Sequence, residues 1–273
     1  PRFPDTPLTL RHLMSHTASV SSSNGFSVGG RTVQGTLGMQ AAKNSWYLNR
    51  EPGTRYQYSN FGAGVAGAML EAASGQSANA YMQQHVFSPL GITAAYAASM
   101  IKNPDDLSHQ YQDGQLHRSA QSFIKNGYED TADPERHINT VYGGLWITSR
   151  DLARLGIALC GDGTVDGVRL LEEQSVLAIR ERQDAHDSPY HLFVERTENV
   201  LKGHTFYGHQ GLLNGVIACV YYEPESGFVM ALTTNGCNTA RTNRVSRLSI
   251  ALAEALYPYS PERTVMEAGG VTP

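Results

Sequence analysis

Two β-rich runs, Val216 to Tyr222 and Phe228 to Thr234, are joined by only five residues, Glu223-Pro224-Glu225-Ser226-Gly227. A connection that short permits an antiparallel hairpin and nothing else, because a parallel crossover needs a dozen residues or more. His204 to Gly211 predicts the preceding strand of the same sheet, which makes the hairpin central to it. From Arg241 to Tyr257 the period lengthens, with Val245, Leu248, Ile250, Leu252 and Leu256 marking a closing amphipathic helix that should cover one sheet face.

Upstream of about His204 the pattern is helical. Leu8 to His16 predicts a short helix with Thr9 as N-cap and Leu10, Leu13 and Met14 on one side, and His16 reads as a buried, hydrogen-bonded histidine within it. A Ser/Gly-rich loop follows from Ser19 to Gly30, and Glu51-Pro52-Gly53-Thr54 is a turn. Asn60 is the expected cap of a helix that runs to Ser74 and stops at Gly75. Gly62, Gly64 and Gly67 lie inside it, and each costs about 1 kcal/mol against Ala, so that face needs a close neighbour. Ser77 caps a further helix through Val86. Asn103 to Thr140 reads as a polar, irregular connection, Ser149 as the cap of a helix through Leu159, and Glu172 to Arg180 as another helix. A helical first part and a sheet-bearing second part give an α+β class.

Composition narrows the functions. Across 273 residues the net charge is −4 and no run of Lys or Arg occurs, which speaks against nucleic acid or an anionic membrane as partner. The apolar runs are strand-sized, well short of the roughly 20 residues of a membrane-spanning helix. The three cysteines, Cys160, Cys219 and Cys237, show no CxxC spacing and read as small buried apolar groups. No HExxH or HxH pattern joins the histidines, so no metal site is expected.

Five segments, in order, carry a family resemblance. They are Leu8-Thr9-Leu10-Arg11-His12-Leu13-Met14-Ser15-His16-Thr17, then Pro52-Gly53-Thr54-Arg55-Tyr56-Gln57-Tyr58-Ser59-Asn60, then Gly143-Gly144-Leu145-Trp146-Ile147-Thr148-Ser149-Arg150-Asp151-Leu152, then Gly208-His209-Gln210-Gly211, and Thr233-Thr234-Asn235. Together they resemble the serine β-lactamase and penicillin-binding-protein-like family, in its branch of class C enzymes, esterases and D-aminopeptidases. The second segment ends in that family's Tyr-x-Asn motif. The fourth is similar to its Lys-Thr-Gly strand with His in place of Lys.

The resemblance implies a β-lactamase/transpeptidase-like α+β fold, an antiparallel sheet flanked by helices plus a mostly helical lobe. It divides the chain into 1–145, the helical lobe with Tyr-x-Asn, and 146–273, the α+β part with His-x-Gly, interleaved as one catalytic domain. It implies hydrolysis through an acyl-enzyme, of a β-lactam, an ester or a D-amino-acid peptide, with no cofactor. Tyr58 would be the base or proton shuttle, and Asn60 would orient substrate and a lysine. His209 would sit beside the substrate, Gly211 would let it approach the backbone, the Leu212 amide would serve the oxyanion, and Gln210 would line the site. The chemistry needs such types, since a phenol with an ordinary pKa near 10 becomes a base only where a cation favours its phenolate. Tyr58, Asn60 and His209 are expected to converge on one cleft.

The family's nucleophile motif, Ser-x-x-Lys, is expected ahead of the Leu8 helix, where these residues do not supply it. The strings Ser99-Met100-Ile101-Lys102 and Ser122-Phe123-Ile124-Lys125 come after Tyr-x-Asn, outside the family's order. The chain therefore reads as lacking the N-terminal part of the fold, with that segment or a second copy as partner beside a small-molecule or peptide substrate. The alternative reading is an inactive family member that binds a peptide or glycan in the old cleft.

Overall fold

The computed structural model of the chain describes residues 3–22, 50–125, 141–183, 188–237 and 240–259. Most of the Ser/Gly-rich loop read over 19–30, and the connection from 126 to 140, lie outside the described residues. The chain forms two compact units, Pro1–Asp106 with Gln121–Trp146 and Glu181–Phe193, and Leu107–Ala120 with Ile147–Arg180 and Val194–Pro273.

The first unit is built on α1 (Leu10–Met14), α2 (Asn60–Ser74) and α3 (Ala78–Met82), the last running into a π-helical turn over Gln83–Phe87. Thr9 caps α1 through the His12 amide, and the His12 ring accepts from the Thr9 amide in return, a reciprocal capping box. Leu13, Ala18, Val20, Phe61 and Val65 form the core between α1 and α2. The cap of α2 is Ser59 rather than Asn60, because its hydroxyl accepts from the Gly62 amide at 3.0 Å; Gly75 ends the helix at φ 68°. Gly62, Gly64 and Gly67 are buried, and a Cβ on Gly67 would lie 2.6 Å from Val141. For Gly67 the close neighbour is thus present within this chain, whereas a Cβ on Gly62 would find only ordinary contacts at 3.5 Å or more. A short helix, α4 (Ala120–Lys125), follows later.

In the second unit the sheet runs β6-β5-β4-β3, all antiparallel: β3 (Glu195–Thr197), β4 (Phe206–Leu213), β5 (Val216–Glu223) and β6 (Phe228–Thr233). The hairpin and its β4 neighbour form as expected, but the hairpin is not central to the sheet: β5 and β4 are the inner strands, and β6 lies at an edge because no further strand among the described residues pairs with its outer side. Phe206, Cys219, Tyr221, Phe228 and Met230 point to one face and meet Ala253 and Tyr257 of the C-terminal segment. Tyr207, Tyr222 and Val229 point to the other, against Leu159 and Cys160 of α5 (Ser149–Cys160) and Ile179 of α6 (Glu173–Arg180). Two helical layers thus enclose the sheet, each face buried by residues of period two.

Other elements differ from the sequence reading as well. The closing helix, α7 (Arg247–Leu256), starts late because Asn243 and Arg244, at φ 48° and 74°, turn the chain between β7 (Arg241–Thr242) and β8 (Val245–Ser246), leaving Ser246 as cap. Thr148, not Ser149, caps α5. The polar connection holds a hairpin, β1 (Gln110–Gln112) and β2 (Gln115–Arg118), turned by Asp113-Gly114 at φ 51° and 76°.

Candidate active site

Tyr58 and Asn60 belong to the first unit, on either side of the Ser59 cap. Ser59 is buried at 3%, with its hydroxyl on Gly62 and a second contact to the Ser22 hydroxyl, which itself accepts from the Phe61 amide. These two serines satisfy donors that a helix start leaves open. Tyr58 stands 37% exposed, and Asn60 opens the first turn of α2.

The wall behind Tyr58 is aromatic. The His16 ring lies 4.4 Å from the Tyr58 ring, centroid to centroid, and 5.0 Å from that of buried Tyr190, which in turn packs against Tyr58 and stacks on Tyr56. Phe193 closes the group, and its amide donates to the Met14 carbonyl at the end of α1. His16 is buried and hydrogen-bonded, as read from the sequence, but it lies beyond the helix rather than in it, at φ 56°. Tyr190 and Phe193 went unnoticed in the sequence, where nothing ties two isolated aromatics to a motif so far upstream.

His209, Gln210, Gly211 and Leu212 lie along β4 in the second unit. His209 pairs with Val220 and shares the α5-facing side with Tyr207. Burial lowers the imidazole pKa from 6.5, opposed by a hydrogen bond with the Gln210 backbone, so the ring is neutral at pH 7. Gln210 faces the other way, its amide nitrogen donating to the Arg244 carbonyl and its oxygen accepting from the Ser246 amide at 3.0 Å. That ties β4 to the β7–β8 turn. A Cβ on Gly211 would meet nothing within 4 Å, so there is open space at this position.

The edge of β4 matters as much as its side chains. β3 pairs with Phe206, Tyr207 and Gly208, so among the described residues the ladder on that side of β4 stops short of Gln210–Leu213. An extended substrate can add to such an edge through main-chain hydrogen bonds. The end of the sheet is braced by the β1–β2 hairpin: the Tyr111 amide donates to the Asn235 carbonyl at 2.7 Å, and Asn235 donates to the His109 carbonyl at 3.0 Å.

Of the Ser-x-x-Lys strings, Ser99 lies on a single turn, Ala98–Met100, that ends before Lys102. Ser122 and Lys125 share α4, with Lys125 exposed to solvent.

Comparison with known proteins identifies the family and the fold. The family model described as Beta-lactamase matches residues 1–255. Proteins of two Mycobacterium tuberculosis strains, H37Rv and CDC 1551, are 28% identical over 208 residues, 68% of this chain and 47% of theirs, so the chain spans about half the length of the curated relatives it matches. The octameric penicillin-binding protein homologue from Pyrococcus abyssi superposes with a TM-score of 0.66 at 19% identity, over 93% of this chain and 56% of that one. The D-amino acid amidase from Ochrobactrum anthropi SV3, complexed with L-phenylalanine amide, gives 0.61 at 18% identity, over 86% and 67%. These two structures share the fold of this chain.

Proposed function

The chain belongs to the Beta-lactamase family, and from that premise we propose that it is a serine hydrolase that works through an acyl-enzyme, on a β-lactam, an ester or a D-amino-acid peptide. The observation that carries the reading is the Tyr-x-Asn triplet: its middle residue is anchored inward on the Gly62 amide, while Tyr58 stands exposed beside it. A proton carrier has to be held at a fixed point yet remain reachable, and that arrangement does both.

Tyr58 takes the proton of the nucleophile and returns it to the leaving group. Asn60 orients substrate. His209, neutral at pH 7, offers the substrate a hydrogen bond rather than a charge, so the cation that favours a Tyr58 phenolate is a lysine. Gly211 leaves space for the substrate along β4, and the Leu212 amide donates to the oxyanion of the tetrahedral intermediate. Gln210 fixes the strand that carries them. The nucleophile in this reading is a Ser-x-x-Lys serine of the whole protein and neither Ser99 nor Ser122. The lysine that activates such a serine has to sit sealed against it, and Lys125 is exposed.

Acylation of the full-length protein by a fluorescent penicillin and by a fluorophosphonate tests the reading. Labelling is expected with at least one probe, slowed by about two orders of magnitude or more in Tyr58→Phe, the usual contribution of a proton-transfer group. A folded full-length protein that neither probe labels would end it.

A further inference from the structure

The end of α1 has a feature that its own stability does not require. The His16 amide donates to the Leu13 carbonyl at 3.2 Å and the Thr17 amide to the His12 carbonyl at 2.8 Å. With φ at 56°, His16 thus holds the left-handed position of a Schellman cap. Glycine takes that position without strain, whereas a residue with a Cβ is held there at a cost of about 1 kcal/mol or more. The imidazole is also almost wholly buried, at 3%. A side chain kept at a strained position, and buried, has to gain something that glycine cannot offer.

What it gains is a grip on the motif. The His16 carbonyl accepts from the Gln57 amide at 2.8 Å, and its Nδ1 accepts from the Ser59 amide at 3.3 Å. One residue therefore holds the main chain immediately before and immediately after Tyr58. Because Nδ1 accepts, the ring proton is on Nε2, and the imidazole is neutral in this arrangement. The left-handed backbone aims carbonyl and ring at the same strand-like segment, while Tyr190 and Phe193 fix the ring edge-on at centroid distances of 5.0 and 5.6 Å. Next to it, the Thr17 carbonyl accepts from the Gly53 amide at 2.9 Å, which extends the grip along the segment that leads to Tyr58.

We propose that His16 is the positioning residue of Tyr58, fixing its phenol by hydrogen-bonding the backbone on both of its sides. The proposal rests on Tyr58 being the proton carrier. Its strength comes from the pairing of a strained cap position with two bonds that bracket one residue, which a merely packed histidine would not supply.

Asparagine separates the bracket from the ring. It tolerates a left-handed φ, and its Oδ1 hangs from Cγ as the imidazole Nδ1 does, so His16→Asn keeps both bonds while losing most of the ring contacts. His16→Leu keeps much of the volume and loses the acceptor. In the full-length protein, kcat and KM are measured with a chromogenic β-lactam or p-nitrophenyl acetate, together with hydrogen exchange at the Ser59 amide, near-UV circular dichroism and Tyr58→Phe as reference. His16→Asn should keep kcat within about threefold and the Ser59 amide protected. His16→Leu should lose about a hundredfold in kcat with KM nearly constant, the scale set by an ångström of misplacement, and its Ser59 amide should exchange freely. Equal impairment of both variants, or a His16→Leu enzyme as active as the parent while Tyr58→Phe is inactive, overturns the proposal. Should His16→Leu not fold, His16→Asn decides alone: an Asn variant with Ser59 protected but kcat as low as that of Tyr58→Phe is fatal to it. Undiminished kcat in Tyr58→Phe instead removes the role of Tyr58 itself, which the Ser59 exchange data leave untouched.

Discussion

The Ser59 hydroxyl accepts from the Gly62 amide, and the direction of that bond turns Ser59 inward and leaves Tyr58 exposed. Asn60 and Ser59 are both cap-forming types side by side in the sequence, so composition alone could not say which of them starts the helix. The structure decides through which hydroxyl or amide faces the free donors. Ser59→Ala should therefore cost about 1–2 kcal/mol in urea unfolding, the upper range for a buried cap, and should also slow acylation, while Asn60→Ala should leave stability nearly unchanged. A Ser59→Ala protein as stable as the parent would mean that the Ser22 hydroxyl suffices as acceptor. His209 offers a second residue-scale check. Burial is the larger influence on its ring, so the imidazole should titrate below 6.5. Two-dimensional NMR of the ring nitrogens measures this directly, and titration at or above 6.5 would contradict the buried setting.

Elements were legible where their periodicity is strong. The hairpin, the strand before it and the glycine-bearing helix follow from runs whose alternation or spacing admits one reading, whereas the place of the hairpin in the sheet does not: its second strand lies at an edge. The β1–β2 hairpin was missed although Asp113-Gly114 was in plain sight, because its strands are mostly exposed and have no apolar alternation to betray them. What holds it is the Tyr111 amide on the Asn235 carbonyl, the Asn235 side chain on the His109 carbonyl and close packing against Gly215, none of which leaves a mark in local sequence. The closing helix was read six residues too early, since Val245 fits a helical stripe as well as it fits the short strand β8. The glycines of α2 give the sharpest element-scale prediction. A Cβ on Gly67 would come within 2.9 Å of three Val141 side-chain atoms, and a valine has little rotamer freedom with which to withdraw. Gly67→Ala should destabilise the protein by about 1–3 kcal/mol despite alanine's better helix propensity. Adding Val141→Ala should recover most of that loss, so the double variant should melt above Gly67→Ala alone. Additive losses in the cycle would show that the contact is not what the glycine serves.

At the scale of the molecule, the motifs were legible one by one but their supports were not. Tyr-x-Asn and His-x-Gly stand out as strings, whereas His16, Tyr190 and Gln210 acquire their roles only through folding, which brings distant segments together. Each of the two units also holds a partly buried histidine whose pKa is lowered by desolvation, His12 in the first and His209 in the second. In the unfolded chain both titrate near 6.5, so between that value and the lower folded one the unfolded state binds more protons. Their contribution to stability is therefore complete above 6.5 and is lost as the pH falls through the folded values. Glu195 works in the opposite sense. Burial raises its carboxyl, opposed by Arg244, so its contribution is present below 4.5 and fades as the pH rises through the raised value. The first influence acts below 6.5 and the second above 4.5, in opposite directions, so variants are needed to separate them. His209→Asn isolates one, because it removes a titrating ring and leaves Glu195 in place. Urea midpoints taken at about pH 7.5 and about pH 5 should fall less on acidification in His209→Asn than in the parent, with His12→Asn behaving likewise. If acidification lowers the midpoints of the parent and both variants equally, these two histidines do not set the acid limit of this fold, and that limit would have to come from the carboxylates.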